Sequence, residues 1–191
     1  MADVNERDAK LIQYLGEAYG KERELETALN AHITMTTRPA YKKRLKEHLR
    51  ETKRHAKEVE RRIKKLGGGG QSTQTLLGKA MAAAKGPMHM VRGGSEQEKM
   101  LKNAKTEYFN EHEEIATYTA IETLAEKVGD RETAKLARQI RRDEERMARF
   151  LEGQIKVLTA AVVQEEIPAS QRRSNGRARS RSRSPAGARS K

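Results

Sequence analysis

The segment Asn110–Glu122 reads NEHEEIATYTAIE and determines how the chain can fold. It lies in a longer region whose apolar residues recur every three or four positions, which is the period of an amphipathic helix. Glu111 falls on this apolar stripe, and Glu114 borders it. A carboxylate that faces a protein core costs several kcal/mol unless something compensates its charge. Two inward carboxylates one turn apart therefore indicate a cation site, provided that other helices supply matching ligands.

Three further segments have the same helical period and the same polar interruption. They run from about residue 5 to 36, from 39 to 66 and from 131 to 163, and the Asn110 segment belongs to a helix that ends near residue 128. Glu22 and Glu144 lie on these stripes and Glu51 lies beside one, each near the middle of its helix. Since mid-helix positions meet at one level in an antiparallel bundle, the pattern predicts an all-α four-helix bundle with carboxylates converging inside it.

The second helix adds imidazoles to this set, because His48, Glu51 and His55 share one of its faces. Carboxylate-bridged di-iron and di-manganese bundles use one Glu from each of two helices and a Glu-x-x-His motif from each of the other two. This chain departs from that pattern twice. His55 follows Glu51 by four residues, and Met147 stands where the fourth helix should supply a histidine. Glu145 also competes with Glu144 for the inward position.

The composition restricts the chemistry that is available to the chain. Its 191 residues include no cysteine, which excludes disulfides and thiolate-bound metals. A metal would therefore be held by carboxylates and imidazoles. The first residues, MADVNERDAK, lack an apolar signal core, and no segment is apolar and long enough to span a bilayer, so we expect a cytoplasmic protein that does not interact with membranes.

The chain divides into a bundle and a basic tail. We assign residues 5–163 to the bundle, with a long central crossover at 67–95, and residues 168–191 to a disordered Arg/Ser-rich tail. Residues 171–191 hold seven Arg and one Lys without any acid, which is +8 of the net charge of +13. This charge predicts sequence-independent contacts with nucleic-acid phosphates, and a nucleoid association. The arginines that we expect to make them are Arg172, Arg173, Arg177, Arg179, Arg181 and Arg183.

The strings AYGKERELETAL, EHLRETKRHAKEVERRIKKLG and NEHEEIATYTAIETLAEKVGD resemble the bacterial stress-response ferritin-like proteins of the YciE/YciF type. These proteins belong to the wider ferritin-like di-iron carboxylate superfamily. The resemblance covers about residues 8–160 and implies a ferritin-like four-helix bundle that forms a homodimer. It also implies a site for two Fe or Mn ions with ferroxidase- or peroxidase-like chemistry. The ligands that it implies are Glu22, Glu51, His55, Glu111, Glu114 and Glu144.

A different class of function stays open at this point. The bundle could be a metal-free scaffold in which the inward carboxylates pair with cationic side chains. The candidates close in sequence are Arg23, Arg54, Arg141 and Lys105. Separately, the basic tail could carry the function, as a nucleic-acid contact beside a structural or degenerate metal site.

Overall fold

The computed structural model describes residues 4–67, 78 and 94–172. Four long helices account for most of them, and a short 3-10 turn follows at Ala169–Gln171. The helices are α1 (Glu6–Met35), α2 (Pro39–Lys65), α3 (Glu96–Lys127) and α4 (Arg131–Glu166). The prediction of an all-α four-helix bundle is confirmed, and none of the described residues forms a strand.

Local sequence signals explain where the helices begin. The Asn5 side chain accepts a hydrogen bond from the backbone N–H of Asp8, and the Ser95 hydroxyl accepts one from Glu98, at 2.9 and 3.2 Å. Pro39 begins α2, where its missing N–H costs nothing. The turn between α3 and α4 uses Gly129 at φ +77°, a conformation that favours glycine. These caps fix the ends of the helices and therefore the level of the residues midway along them.

Side-chain contacts at the helix ends establish the topology. Arg38, just before α2, donates a 3.1 Å hydrogen bond to Gln97 at the start of α3. Arg62, at the end of α2, donates a 2.7 Å hydrogen bond to Thr133 at the start of α4. Helix α2 is therefore parallel to α3 and antiparallel to α4, as a central crossover between α2 and α3 requires. Apart from its described ends and Gly78, the predicted crossover lies outside the described residues, as does the tail beyond residue 172.

A polar layer divides the hydrophobic core into two clusters. One cluster contains Leu11, Leu15, Val59, Ile121 and Ile140, and the other contains Leu29, Leu45, Met100, Met147 and Leu151. The inward carboxylates and histidines lie between them. Each cluster shields this layer from water at one end of the bundle. In the part of the chain that the structure describes, no helix combines the length and apolar character needed to cross a membrane.

Candidate metal centre

Six ionisable side chains form the polar layer, and each exposes 2% or less of its surface. Helices α1 and α4 supply one residue each, while α2 and α3 supply two each. The six are Glu22, His48, His55, Glu111, Glu114 and Glu144. All four helices therefore direct carboxylate or imidazole groups to one level of the bundle.

These side chains form two groups of potential ligands that share one carboxylate. Glu22, His55 and Glu144 bring one ligand atom each to within 4.8 Å of one another, and so do His48, Glu111 and Glu144. The two oxygens of Glu144 face different histidines. Its Oε1 lies 2.9 Å from His55 Nδ1, and its Oε2 lies 3.8 Å from His48 Nε2. Glu144 is thus placed as a carboxylate between two adjacent cation positions.

The remaining members lie against the same two histidines. Glu22 Oε1 is 3.6 Å from His55 Nδ1 and accepts a 2.6 Å hydrogen bond from the Tyr118 hydroxyl. Glu111 Oε1 is 3.0 Å from His48 Nε2. Glu114 is buried beside these carboxylates, and their negative charges help to raise its pKa. Each group therefore contains one imidazole and one carboxylate of its own in addition to Glu144.

Several potential ligand atoms in the layer make no hydrogen bond within the described structure. They are Glu22 Oε2, His55 Nδ1, Glu111 Oε2, Glu114 Oε1 and both oxygens of Glu144. The approach of His55 Nδ1 to Glu144 is a close charge contact without hydrogen-bond geometry. Buried polar atoms without partners are rare, because each costs about 1–3 kcal/mol. Their convergence fits the donor set of a bound cation.

The cationic side chains that a metal-free scaffold would use do not pair with the inward carboxylates, although Arg54 lies 3.1 Å from His55 Nε2. Arg23 pairs with Glu26, Arg54 with Asp143, and Arg141 with Glu122 and Glu145. Within the described residues, no Lys or Arg lies within 4.0 Å of the four inward carboxylates, so the histidines are their only cationic contacts at that distance. Four carboxylates face only two imidazoles, so the layer becomes negative when these groups lose their protons, and a metal could neutralise that charge.

Burial changes the protonation of the carboxylates. It raises the pKa of Glu22 to about 8 and that of Glu111 to about 7, because a charged carboxylate loses its hydration. Burial also raises the pKa of Glu114 well above its usual range, and nearby Glu22 adds to the shift. Glu144 differs, since its close contact with His55 and the nearby His48 charge outweigh its burial and lower its pKa.

The two histidines are shifted toward their charged forms. Burial by itself disfavours an imidazolium, but contact with Glu144 and Glu22 raises the pKa of His55 to about 9. Burial also lowers the pKa of His48, but the nearby Glu111 carboxylate outweighs burial and raises that pKa well above its usual value. The layer therefore retains protons at neutral pH that a metal must displace, since metals bind neutral imidazole and ionised carboxylate.

Outer carboxylates orient both imidazoles. His55 Nε2 lies 3.1 Å from Asp143 Oδ2, and Asp143 also pairs with Arg54 and Arg146. His48 Nδ1 lies 3.2 Å from Glu51 Oε2. Such contacts fix the orientation of a ligating histidine and increase its basicity.

Glu51 was predicted as a ligand, but the structure does not bring it into either group. Its side chain is 23% exposed and accepts a 2.9 Å hydrogen bond from Arg44. Although burial opposes ionisation, the hydrogen bonds from His48 and Arg44 lower the pKa of Glu51 to about 2. His48 takes the inward place instead. Its sequence signal was its position seven residues before His55, on the same stripe.

The other predicted site residues are placed as follows. Glu22, His55, Glu111 and Glu144 lie in the two groups, and Glu114 lies beside them. Glu144 faces inward, while Glu145 pairs with Arg141 at the surface. Of the tail arginines, Arg172 donates a 2.8 Å hydrogen bond to the carbonyl of Ile167. Arg173, Arg177, Arg179, Arg181 and Arg183 lie outside the described residues.

The bundle and its buried carboxylate–histidine layer give a ferritin-like fold with groups that could bind metal. The sequence profile of the family described as Domain of unknown function (DUF892) matches residues 6–164, and the chain belongs to this family. No curated protein sequence matches the chain.

Solved structures share the fold. A protein from Xanthomonas campestris pv. campestris is 24% identical with a TM-score of 0.67, covering 85% of this chain and 99% of its own. YcfI from Rhodopseudomonas palustris is 20% identical with a TM-score of 0.61, covering 80% and 96%. The E. coli stress protein YciF is 20% identical with a TM-score of 0.57, covering 85% and 99%. The resemblance to YciF-type ferritin-like proteins is thereby confirmed for the fold.

Proposed function

We propose that the protein binds two Fe or Mn ions in the polar layer, with Glu144 shared between them. One observation carries this proposal. Both Glu144 oxygens are buried without a hydrogen-bond partner, and each faces a different histidine. In the metal-free protein the two charged histidines stabilise this carboxylate, and two cations could take over that role once the histidines lose their protons.

Each ion would have its own ligands in addition to the shared one. Glu22 and His55 would hold one ion, and His48 and Glu111 would hold the other. Carboxylate oxygens and imidazole nitrogens suit Fe and Mn, and these metals supply one-electron chemistry with oxygen or peroxide. The chain itself excludes water with the two apolar clusters and holds His55 in place through Asp143.

Metal analysis of the purified full-length chain tests the proposal directly. Equilibrium dialysis against Fe(II) without oxygen, or against Mn(II), should give two ions per chain. Glu144→Gln should lose both, because the substitution removes the shared charge at nearly constant volume. Glu145→Gln is the matched control, since its side chain pairs with Arg141 outside the layer and should keep two ions. Binding by Glu144→Gln equal to that of Glu145→Gln would refute the proposal.

We propose that the reaction is oxidation of Fe(II), the substrate, by peroxide or oxygen during stress. The E. coli relative is described as a stress protein, which motivates the setting. The full-length chain should accelerate Fe(II) oxidation, which is measured by the absorbance of the Fe(III) formed. The Glu144→Gln variant should not accelerate it. A chain that binds two ions but does not accelerate oxidation would leave metal binding intact and exclude this reaction.

A second candidate function is nucleic-acid association through the tail, within the nucleoid. Its support is the +8 charge of residues 171–191, which include no acid. Binding should be sequence-independent and should weaken steeply with salt. A chain that ends at Arg172 should bind duplex DNA more weakly than the full chain in a gel shift. Equal binding by both chains would exclude a role for the tail.

We also propose a cytoplasmic homodimer, as the resemblance to YciF-type proteins implies. Light scattering on the purified full-length chain should give twice the mass of 21.6 kDa. A mass of one chain at micromolar concentration would contradict the dimer without affecting the metal proposal.

A further inference from the structure

Helix α2 concentrates positive charge in the bundle. Between Pro39 and Lys65 it has twelve Lys and Arg against four Glu, a balance of +8. Helix α3, of similar length, has four Lys against eight Glu. This difference cannot arise from the tail, because both helices lie within the bundle. The positive charge therefore belongs to one surface of the folded domain.

Six exposed cationic residues of α2 recur at steps of three or four and lie along one face of the helix. We call this set the basic stripe, and it consists of Lys43, Lys46, Arg50, Lys53, Lys57 and Arg61. At 1.5 Å of rise per residue the stripe is about 27 Å long. It lies on the outer side of the helix, whereas His48 and His55 are buried on the inner side.

The stripe is largely unneutralised by the described part of the bundle. There, only Lys53 forms an ion pair, at 3.5 Å from Glu26. Other basic residues of α2 are used in the fold, since Arg44 pairs with Glu51 and Arg62 with Asp130. Like charges one turn apart destabilise a helix, so the stripe does not stabilise α2. A polyanion lying along it would relieve that repulsion.

We propose that the basic stripe binds the phosphate backbone of double-stranded nucleic acid. A straight row of Lys and Arg can contact phosphates without reading bases. The stripe contains no aromatic residue on which unpaired bases could stack. The exposed large apolar residues of the described chain are Val4, Met35, Phe109, Val157 and Ile167. None belongs to α2, so this face lacks the apolar side chains that insert into a membrane surface.

This surface is separate from both the metal layer and the tail, and charge substitutions in the full-length chain can test it. The variant Lys46→Gln, Arg50→Gln, Lys57→Gln and Arg61→Gln removes four charges and retains residues that favour helix. The matched control is Lys99→Gln, Lys105→Gln, Arg131→Gln and Arg149→Gln. It removes four exposed charges from α3 and α4 that form no ion pair with the described residues.

Binding is measured by fluorescence anisotropy with a 20-base-pair DNA duplex at several salt concentrations. The stripe variant should bind at least about tenfold more weakly than the control at 50 mM salt, and its salt slope should be shallower by about 4. Both variants retain the tail, so its contribution to DNA affinity is the same in each and does not affect the comparison. Equal affinities and slopes would overturn the proposal. So would an unchanged affinity for the duplex with a selective loss of binding to vesicles of anionic lipid.

Footprinting of the unsubstituted chain gives an answer that does not depend on the folding of a variant. An amine-reactive reagent modifies exposed lysines, and bound duplex should protect Lys46 and Lys57 but not Lys99 and Lys105. Equal modification of all four lysines with and without saturating duplex would overturn the proposal. Metal content and helicity of the stripe variant should match those of the unsubstituted chain, which separates this surface from the metal layer.

Discussion

The Tyr118 hydroxyl donates a 2.6 Å hydrogen bond to Oε1 of Glu22 and so connects α3 to α1 within the polar layer. Both side chains are 1% exposed. Burial raises the pKa of Glu22, whereas this hydrogen bond lowers it in part. Tyr118 therefore favours the ionised carboxylate that a metal requires, while holding one of its oxygens in a fixed direction.

Replacing Tyr118 with Phe removes this hydrogen bond without removing the ring. We expect metal-free Tyr118→Phe to be less stable by about 1 kcal/mol and the pKa of Glu22 to rise further. The pH at which Mn(II) binding is half complete should increase for one of the two ions. Calorimetric titration at pH 6 to 8 measures this shift. Tyr14→Phe is the control, and equal pH profiles for the two variants would contradict the role of Tyr118.

Stability of the metal-free protein should fall as pH rises from about 5 to 9. The pKa of Glu22 is raised to about 8, that of Glu111 to about 7 and that of His55 to about 9. In this range the folded chain binds more protons than the unfolded chain, so each unit of pH lowers the free energy of unfolding. Glu22 alone should contribute a loss on the order of 3 kcal/mol between pH 5.5 and 8.5.

Urea denaturation after chelator treatment measures this pH dependence. Glu22→Gln should flatten the profile, because it removes one group that gains a proton on folding. Mn(II) should also reverse the trend, since ionised ligands bind it more tightly at high pH. Metal-free protein whose stability rises from pH 5.5 to 8.5 would contradict the pKa shifts.

Asp143 should affect metal affinity without being a ligand. It lies 3.1 Å from His55 Nε2, on the side of the ring opposite the Nδ1 atom that faces Glu144. Asp143→Asn should lower the affinity for one of the two ions by roughly 10- to 100-fold, because the His55 imidazole loses its negative partner. Two ions should still bind at saturation. Arg146→Gln is the control, since Arg146 contacts Asp143 but not His55.

Glu51 distinguishes direct ligation from support of a histidine. If Glu51 acts through His48, Glu51→Gln should lower the affinity for one ion by about 10- to 100-fold. The variant should still bind two ions at saturating metal. Glu111→Gln should remove that ion altogether, because Glu111 belongs to the group. Equilibrium dialysis over a wide range of Mn(II) separates the two results. If the Glu51→Gln variant bound only one ion even at saturating metal, Glu51 would be a direct ligand.

Periodicity was sufficient to predict the helices and the level of the carboxylates. The stripe of each helix gives the inward face, and the cap residues give its ends, so Glu22 and Glu111 could be placed from the sequence, whereas Glu145 still competed with Glu144 for the inward position. The choice between His48 and Glu51 could not be made this way, because both share the inner side of α2. That choice depends on Arg44, which holds Glu51 at the edge and leaves the centre to His48.

Asp143 could not be identified because its partners lie far away in sequence. His55 and Arg54 belong to α2, and only the packing of α2 against α4 brings them to Asp143. The same packing explains the missing histidine of α4. His48 and His55 lie two turns apart on α2, and each belongs to a different group of potential ligands. Helix α2 therefore supplies the imidazoles of both groups.

Met147 should therefore be replaceable without loss of metal. It is fully buried in the apolar cluster that contains Leu29, Leu45 and Leu151. Met147→Leu nearly conserves volume, so it should cost less than about 1.5 kcal/mol and leave two ions bound. His48→Gln, as a contrast, should lose one ion because none of the described residues brings another imidazole to its group. Thermal denaturation and equilibrium dialysis measure the two effects, and loss of an ion from Met147→Leu would mean that the thioether takes part in binding.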